Sequence, residues 1–271
     1  KPNPPAKINM SFSQSQGVRY YRFESLGDPK INHAVFTRHG GVSSGQWSSL
    51  NVGISVGDDE ENVRKNRQIS IQAAGRDIGT MSDSWLVHGK AVKIYDQPRP
   101  ASEPIPLKAD IILTDNPEVT LFMRYADCVP ILLYDPVQHA IGLAHAGWRG
   151  TVLGVGQAAV EEMQGRYGSN PSDIIAGIGP SIGPEAYEVG NEVVTEVEKA
   201  FGSLAGDLLP KFDGAVHFDL WQANRVSLEN AGVREIEVAG ICTSTQKHDW
   251  FSHRGDKGKT GRFGVLFALN E

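Results

Sequence analysis

The sequence is short of sulfur: two cysteines, Cys128 and Cys242, stand in 271 residues. That excludes a disulfide scaffold, and a chain of this length buries a full core without staples. With so few, the cysteines are expected to be reduced, metal-bound or catalytic rather than bridged. A surplus of positive charge is also lacking. Lys and Arg number 26 against 32 Asp and Glu, a net charge of −6, so no basic face is offered to nucleic acid. No apolar run approaches the roughly 20 residues of a membrane-spanning helix. The opening "KPNPPAKINM" is polar and proline-rich, without the apolar stretch of a secretory signal. The expectation is a cytoplasmic protein that works on small molecules, as monomer or homodimer, without nucleic acid or membrane as partner.

What is present is an ordinary globular balance, 40% hydrophobic and 21% charged. Residues 1–20 read as an N-terminal extension with a poorly ordered start, and residues 21–271 as a single catalytic domain. Short apolar runs at 33–38, 91–96, 119–125, 131–135, 140–145, 173–179, 235–243 and 263–269 read as strands. Helical patterns cover 61–75, 148–168, 191–202 (Asn191 as cap) and 219–232 (Asp219 as cap). A proline-rich surface loop spans 98–106. The strands cluster rather than alternate with helices, which predicts an α+β fold with mixed or antiparallel sheets flanked by helices.

The stretch "ADCVPILLYDPVQHAIGLAHAGWRG" places Cys128 and His145 seventeen residues apart, each in a small-residue turn at the edge of an apolar run. If 119–125, 131–135 and 140–145 form a meander, two strands of about five or six residues return the chain to the same end of the sheet. Gly147 then permits a sharp turn into a helix whose N–H groups face that spot. His88, in "LVHGKAV" before a strand, supplies a third donor. Two imidazoles and a thiolate suit a catalytic zinc site with one open position. The same residues also suit a buried thiol with two hydrogen-bonded histidines. Cys242, ending an apolar strand, reads as structural.

"TRHGGVSSG", "LVHG", "ADCVP", "AHAGWRG", "IGPSIG…YEVG" and "FSHRGDKGKTGR" occur in this order. Together they resemble the polyphenol oxidase/laccase-domain family, also described as YfiH-like purine nucleoside phosphorylases and as the peptidoglycan editing factor family. The resemblance runs from about His33 to Leu269. It implies α/β/β/α layers and a zinc held by His88, Cys128 and His145. It also implies phosphorolysis of adenosine, inosine, guanosine and methylthioadenosine, with deamination of adenosine. Two positions depart from the pattern: Leu86 where relatives often carry Gln, and Gly255 where many carry Arg.

Zinc lowers the pKa of a bound water and polarises a substrate oxygen. Asp127, beside Cys128, is the nearest carboxylate in sequence and is the expected acid/base, or else a turn cap. Arg38, Arg149 and Arg254 lie in separate motif loops and are expected to hold substrate phosphate. His39 and His253 are candidate pocket residues, and His139 reads as a surface turn. Two other chemistries stay open. Copper also suits a His2Cys set, although eight histidines with no His-x-His pair do not build a multicopper cluster. A Cys128/His145 dyad without metal suits amide hydrolysis, such as editing of a cell-wall precursor.

Overall fold

The computed structural model describes residues 12–100 and 107–271. Residues 1–11 of the expected extension and 101–106 of the expected proline-rich loop lie outside the described residues. Residues 12–21 are a hairpin, β1 (Phe12–Ser15) and β2 (Val18–Tyr21), so the ordered sheet starts ahead of residue 21.

Along the chain follow β3 (Ile31–Phe36), helix α1 (Glu60–Ala73), β4 (Met81–Asp83), β5 (Val92–Ile94), β6 (Ile111–Thr114), β7 (Thr120–Tyr125), β8 (Val129–Asp135) and β9 (Ala140–Ala146). The second half adds α2 (Trp148–Val152), α3 (Val155–Tyr167), β10 (Ile175–Ile178), α4 (Asn191–Phe201), α5 (Ala205–Leu208) and a small hairpin, β11 (Lys211–Phe212) with β12 (Ala215–Val216). Helix α6 (Leu220–Asn230), β13 (Glu235–Val238) and β14 (Phe263–Leu269) complete it. Local chemistry explains the ends. Asp59 caps α1 by accepting the N–H groups of Glu61 and Asn62, and Val63, Ser70 and Ile71 bury one face. Asp219 caps α6 through Gln222. Asn191 is not a cap; Gly190 precedes α4 and Asn191 is its first residue. The helix expected over 148–168 is two helices, because Gly154 adopts a left-handed φ of +74° between them.

Two six-stranded mixed sheets result, ordered β1-β2-β3-β14-β7-β4 and β13-β10-β8-β9-β6-β5. They pack face to face. Val35, Met123, Phe263 and Phe267 of the first meet Ile112, Leu132, Ile141 and Leu143 of the second. The outer face of the first sheet is covered by α1, through Ile71 against Phe36, Phe122 and Leu266. That of the second is covered by α3 and α6, through Val160, Met163 and Leu228 against Ile131 and Leu133. The layers are therefore α/β/β/α. Because strands are covered on both faces, β8, β9 and β14 are buried throughout, which is why they read as continuous apolar runs. Among the described residues no helix is long and apolar enough to cross a membrane.

One expectation about topology fails. β7, β8 and β9 are not a meander: β7 pairs with β14 and β4 in the first sheet, while β8 and β9 pair in the second. The β7–β8 turn crosses between sheets, and Cys128 lies in that crossover.

Candidate metal centre and its cleft

Register brings the three donors together. Pro130 pairs with His145 across β8 and β9, so Cys128, two residues earlier, falls at the His145 end. His145 lies on the inter-sheet face with Ile141 and Leu143, its ring 5.5 Å from that of Tyr125. His88 arrives on a separate turn and has a left-handed φ of +60°. The ligand atoms of His88, Cys128 and His145 all lie within 4.8 Å of one another, and Cys128 Sγ is 4.0 Å from His88 Nε2. A Cβ on Gly147 would stand 3.0 Å from Cys128 Sγ and 3.1 Å from His88 Cδ2, so a side chain there would push the donors aside by a few tenths of an ångström.

Asp110, fully buried at the start of β6, organises the centre. Its carboxylate accepts the N–H groups of Val87 (3.2 Å), His88 (3.0 Å) and Gly89 (2.8 Å), which holds the His88 turn in its strained conformation. The same carboxylate is 2.9 Å from His145 Nδ1. That bond fixes the imidazole with Nε2 toward Cys128, the carboxylate–histidine arrangement found behind metal ligands. Burial pushes the Asp110 carboxyl up, but hydrogen bonds from His145 and Gly89 outweigh it and the net shift is down. Burial likewise pushes the Cys128 thiol up, and His145 and His88 overcome it, bringing it down to about 6. His145 is pushed down by burial and raised on balance to about 9 by Cys128 and Asp110. The sulfur is therefore ready to bind as thiolate. Tetrahedral coordination at zinc's bond lengths needs donor separations of about 3.3–3.6 Å, a contraction of this set. The donor set fits a metal ion, and all three residues line the cleft, His88 being exposed.

The cleft holds about 520 Å³, with Trp85, Leu86, Trp148 and Tyr187 among its walls. Of the predicted residues, Asp127, Arg149, His253 and Arg254 line it, and Arg38 and His39 do not. Arg38 instead donates to the carbonyls of Ser48 (2.8 Å) and Lys247 (2.9 Å) and lies over the Phe251 ring. His39 is bonded to Asp249. Asp127, in a left-handed turn at φ +82°, accepts from Thr243 Oγ1 (2.7 Å) and from the Arg254 N–H (2.6 Å). Arg254 lies over Tyr187 and donates to the Glu188 carbonyl, and Arg149 lies over Trp148, mostly exposed, with Glu192 at 3.7 Å. Leu86 lines the cleft. A Cβ at Gly255 would meet Lys247 Cδ at 2.8 Å, so Lys247 fills the space a side chain there needs.

Sequence reasoning missed Asp110, Arg124 and Arg262. Asp110 carried a signal, a carboxylate just ahead of the buried strand "IILT"; Arg124 sits in an apolar strand run and carried none, and Arg262 closes the motif "FSHRGDKGKTGR", where Arg254 drew the attention instead.

Residues 32–270 match the profile of a family described as "Multi-copper polyphenol oxidoreductase laccase". A purine nucleoside phosphorylase of Deinococcus radiodurans is 38% identical over 93% of this chain and 94% of its own length. Purine nucleoside phosphorylase YlmD of Bacillus subtilis is 36% identical over 87% of each chain. The crystal structure of YlmD from Geobacillus stearothermophilus superposes with a TM-score of 0.89 at 32% identity, covering 97% of this chain and all of that one. With a match from the third strand to the penultimate residue and relatives alike over nearly their full lengths, the chain belongs to the multi-copper polyphenol oxidoreductase laccase family.

Proposed function

We propose that the protein is a zinc-dependent purine nucleoside phosphorylase that cleaves inosine, adenosine, guanosine and methylthioadenosine, and deaminates adenosine as a second activity. It is read as a cytoplasmic enzyme, monomeric or homodimeric. The observation that carries the reading is the three-donor centre, backed by Asp110 and open on one side to a cleft with aromatic walls. The names of the relatives supply the reaction class.

His88, Cys128 and His145 would hold the metal, which supplies a Lewis acid at the cleft floor. The donor set also accepts copper, but only one such group of ligands is present among the described residues, so a multicopper cluster is not favoured. Tyr187 and Trp148 offer faces for a purine. Arg149 and Arg254, at the rim, draw anionic substrate toward the opening. Arg38, assigned by sequence to phosphate, acts from a distance by tying the 38–48 loop to the Lys247 segment. Asp127, expected as acid/base, has both carboxylate oxygens engaged and acts by positioning the Arg254 loop.

A second reading has one observation behind it. Asp110, His145 and Cys128 form a carboxylate–imidazole–thiol series of the kind that supports nucleophilic amide hydrolysis without metal. Chromatography of inosine incubated with and without phosphate separates the two. Phosphate-dependent hypoxanthine release that is abolished by chelation and by His88→Ala supports the phosphorylase. Phosphate-independent release, or none from metal-replete protein, refutes it. An amide hydrolase would survive chelation and succumb to thiol alkylation.

A further inference from the structure

The cleft has a second cationic region, on the side of the first sheet. Arg262 immediately precedes β14, and Arg124 lies near the end of β7; both line the cleft, together with Gly53 and Ser55. Arg262 is held rigidly. Its N–H donates to Asn51 Oδ1 (2.8 Å), its carbonyl accepts from Val52 (3.0 Å) and its Nη1 donates to the Gly261 carbonyl (2.8 Å). A Cβ on Gly53 would come within 2.7 Å of Arg262 Cγ, so the loop is pressed against the side chain. No partner for Arg262 Nε or Nη2 is found among the described residues.

Behind it several guanidiniums share one buried carboxylate. Arg124 Nη1 (2.8 Å) and Arg67 Nη1 (3.3 Å) share one oxygen of Asp83, which is 1% exposed. Arg99 reaches the other oxygen at 3.0 Å. Asp83 is thus shared among Arg67, Arg124 and Arg99, and Arg262 has no carboxylate bonded to it among the described residues. Arg67 Nη2 and Ser84 Oγ are buried with no hydrogen-bond partner among the described residues. Arg67 is lowered to about 10, first by burial and then by Arg124. On the metal side Asp127 and Cys128 face Arg262 through space, but neither is bonded to it: the hydrogen bonds of Asp127 come from Thr243 and the Arg254 N–H. Guanidinium donors left unpartnered in a cleft hold an anion more strongly than those at a solvated rim do. Arg149, exposed and flexible, is the weaker holder.

We propose that Arg262, with Arg124 beside it and Arg67 behind, forms an oxyanion subsite of the cleft that takes a phosphate group. Its identification with the co-substrate of phosphorolysis rests on the phosphorylase reading. The same chemistry accepts two sources, free inorganic phosphate or the phosphate of a nucleoside 5′-monophosphate. Two faces then divide the cleft: Arg124 and Arg262 on the side of the first sheet, and Trp148 and Tyr187, with Arg149 and Arg254 over their rings, on the side of the second.

The test is calorimetric titration of inorganic phosphate into metal-replete protein, for the wild type, Arg262→Gln and Ser55→Asp. The second variant puts a carboxylate at an exposed position of the same region, outside the packed core, so it decides alone if Arg262→Gln does not fold. Both variants are expected to weaken phosphate binding by about tenfold or more, Arg262→Gln by losing a charge-assisted hydrogen bond and Ser55→Asp by like-charge repulsion, with metal content unchanged. Unchanged affinity in the folded variants, or no phosphate binding by the wild type, overturns the subsite. Adenosine 5′-monophosphate binding more tightly than adenosine, with that preference lost in the variants, identifies the esterified source. A raised KM for phosphate with an unmoved KM for inosine identifies the free one. Phosphate binding that the variants weaken, in an enzyme without phosphorolysis, keeps the subsite and rejects the phosphorylase. Phosphorolysis with phosphate affinity unaltered in both variants does the reverse.

Discussion

Two histidines face the layer between the sheets, and they behave oppositely. His33, on β3, is 0% exposed; its Nε2 accepts the Phe23 N–H at 2.8 Å and its ring packs against Phe23 and Phe267. Burial, aided by Arg22, drives it down to about 3. His145, 3% exposed on β9, is raised to about 9. Burial opposes charge in both. The difference lies in the partners: a backbone N–H requires a neutral ring, whereas Asp110 and Cys128 stabilise a proton or, equally, a metal cation. A buried histidine is thus made structural or functional by the groups that surround it.

The comparison breaks most sharply if the thiolate is removed. Cys128→Ala is expected to reduce zinc from near-stoichiometric to background and phosphorolysis by about a thousandfold or more. His33→Gln, which keeps an acceptor for Phe23, is expected to leave metal content unchanged. Metal analysis after gel filtration checks both, and retained zinc in Cys128→Ala defeats the assignment. Next in size is Asp110→Asn, which weakens the hold on His145 and the His88 turn. Metal affinity should drop about 10- to 100-fold, measured by chelator competition.

The third effect is on stability. His33 has a folded pKa far below its unfolded value, so between about pH 6.5 and 3 the unfolded chain binds the extra proton. Stability from this residue is complete above about pH 6.5 and declines as pH falls toward 3. At about pH 4.5 the loss is on the order of 2–3 kcal/mol. His33→Gln should flatten the slope of unfolding free energy against pH in that window; an unchanged slope means the histidine is not the cause. The smallest effect belongs to the rim. Arg149→Ala should lower kcat/KM about two- to fivefold at low salt, and the difference should fade as salt rises. A salt-independent loss would show a direct contact with substrate instead.

How much of this the sequence disclosed depends on the residue. Continuous apolar runs located β7, β8, β9 and β14 because buried strands need no alternation. The expected meander was wrong, yet it placed Cys128 beside His145, since the β8–β9 hairpin alone sets that register. His88 came from spacing and resemblance, but its positive φ was not visible. Asp110 was passed over, because its role depends on three N–H groups that only the fold brings to it. Arg38 looked like an anion ligand from its glycine-rich setting, whereas its donors meet carbonyls at Ser48 and Lys247. The break at Gly154 was hidden because helical and left-handed glycines look alike in a sequence.

X-ray absorption at the zinc edge on metal-replete wild type tests the centre most directly. The predicted first shell contains two imidazole nitrogens at about 2.0–2.1 Å and one sulfur at about 2.3 Å, with the sulfur absent in any metal retained by Cys128→Ala. A wild-type shell without sulfur, or an identical spectrum from Cys128→Ala, would contradict a zinc centre at His88, Cys128 and His145.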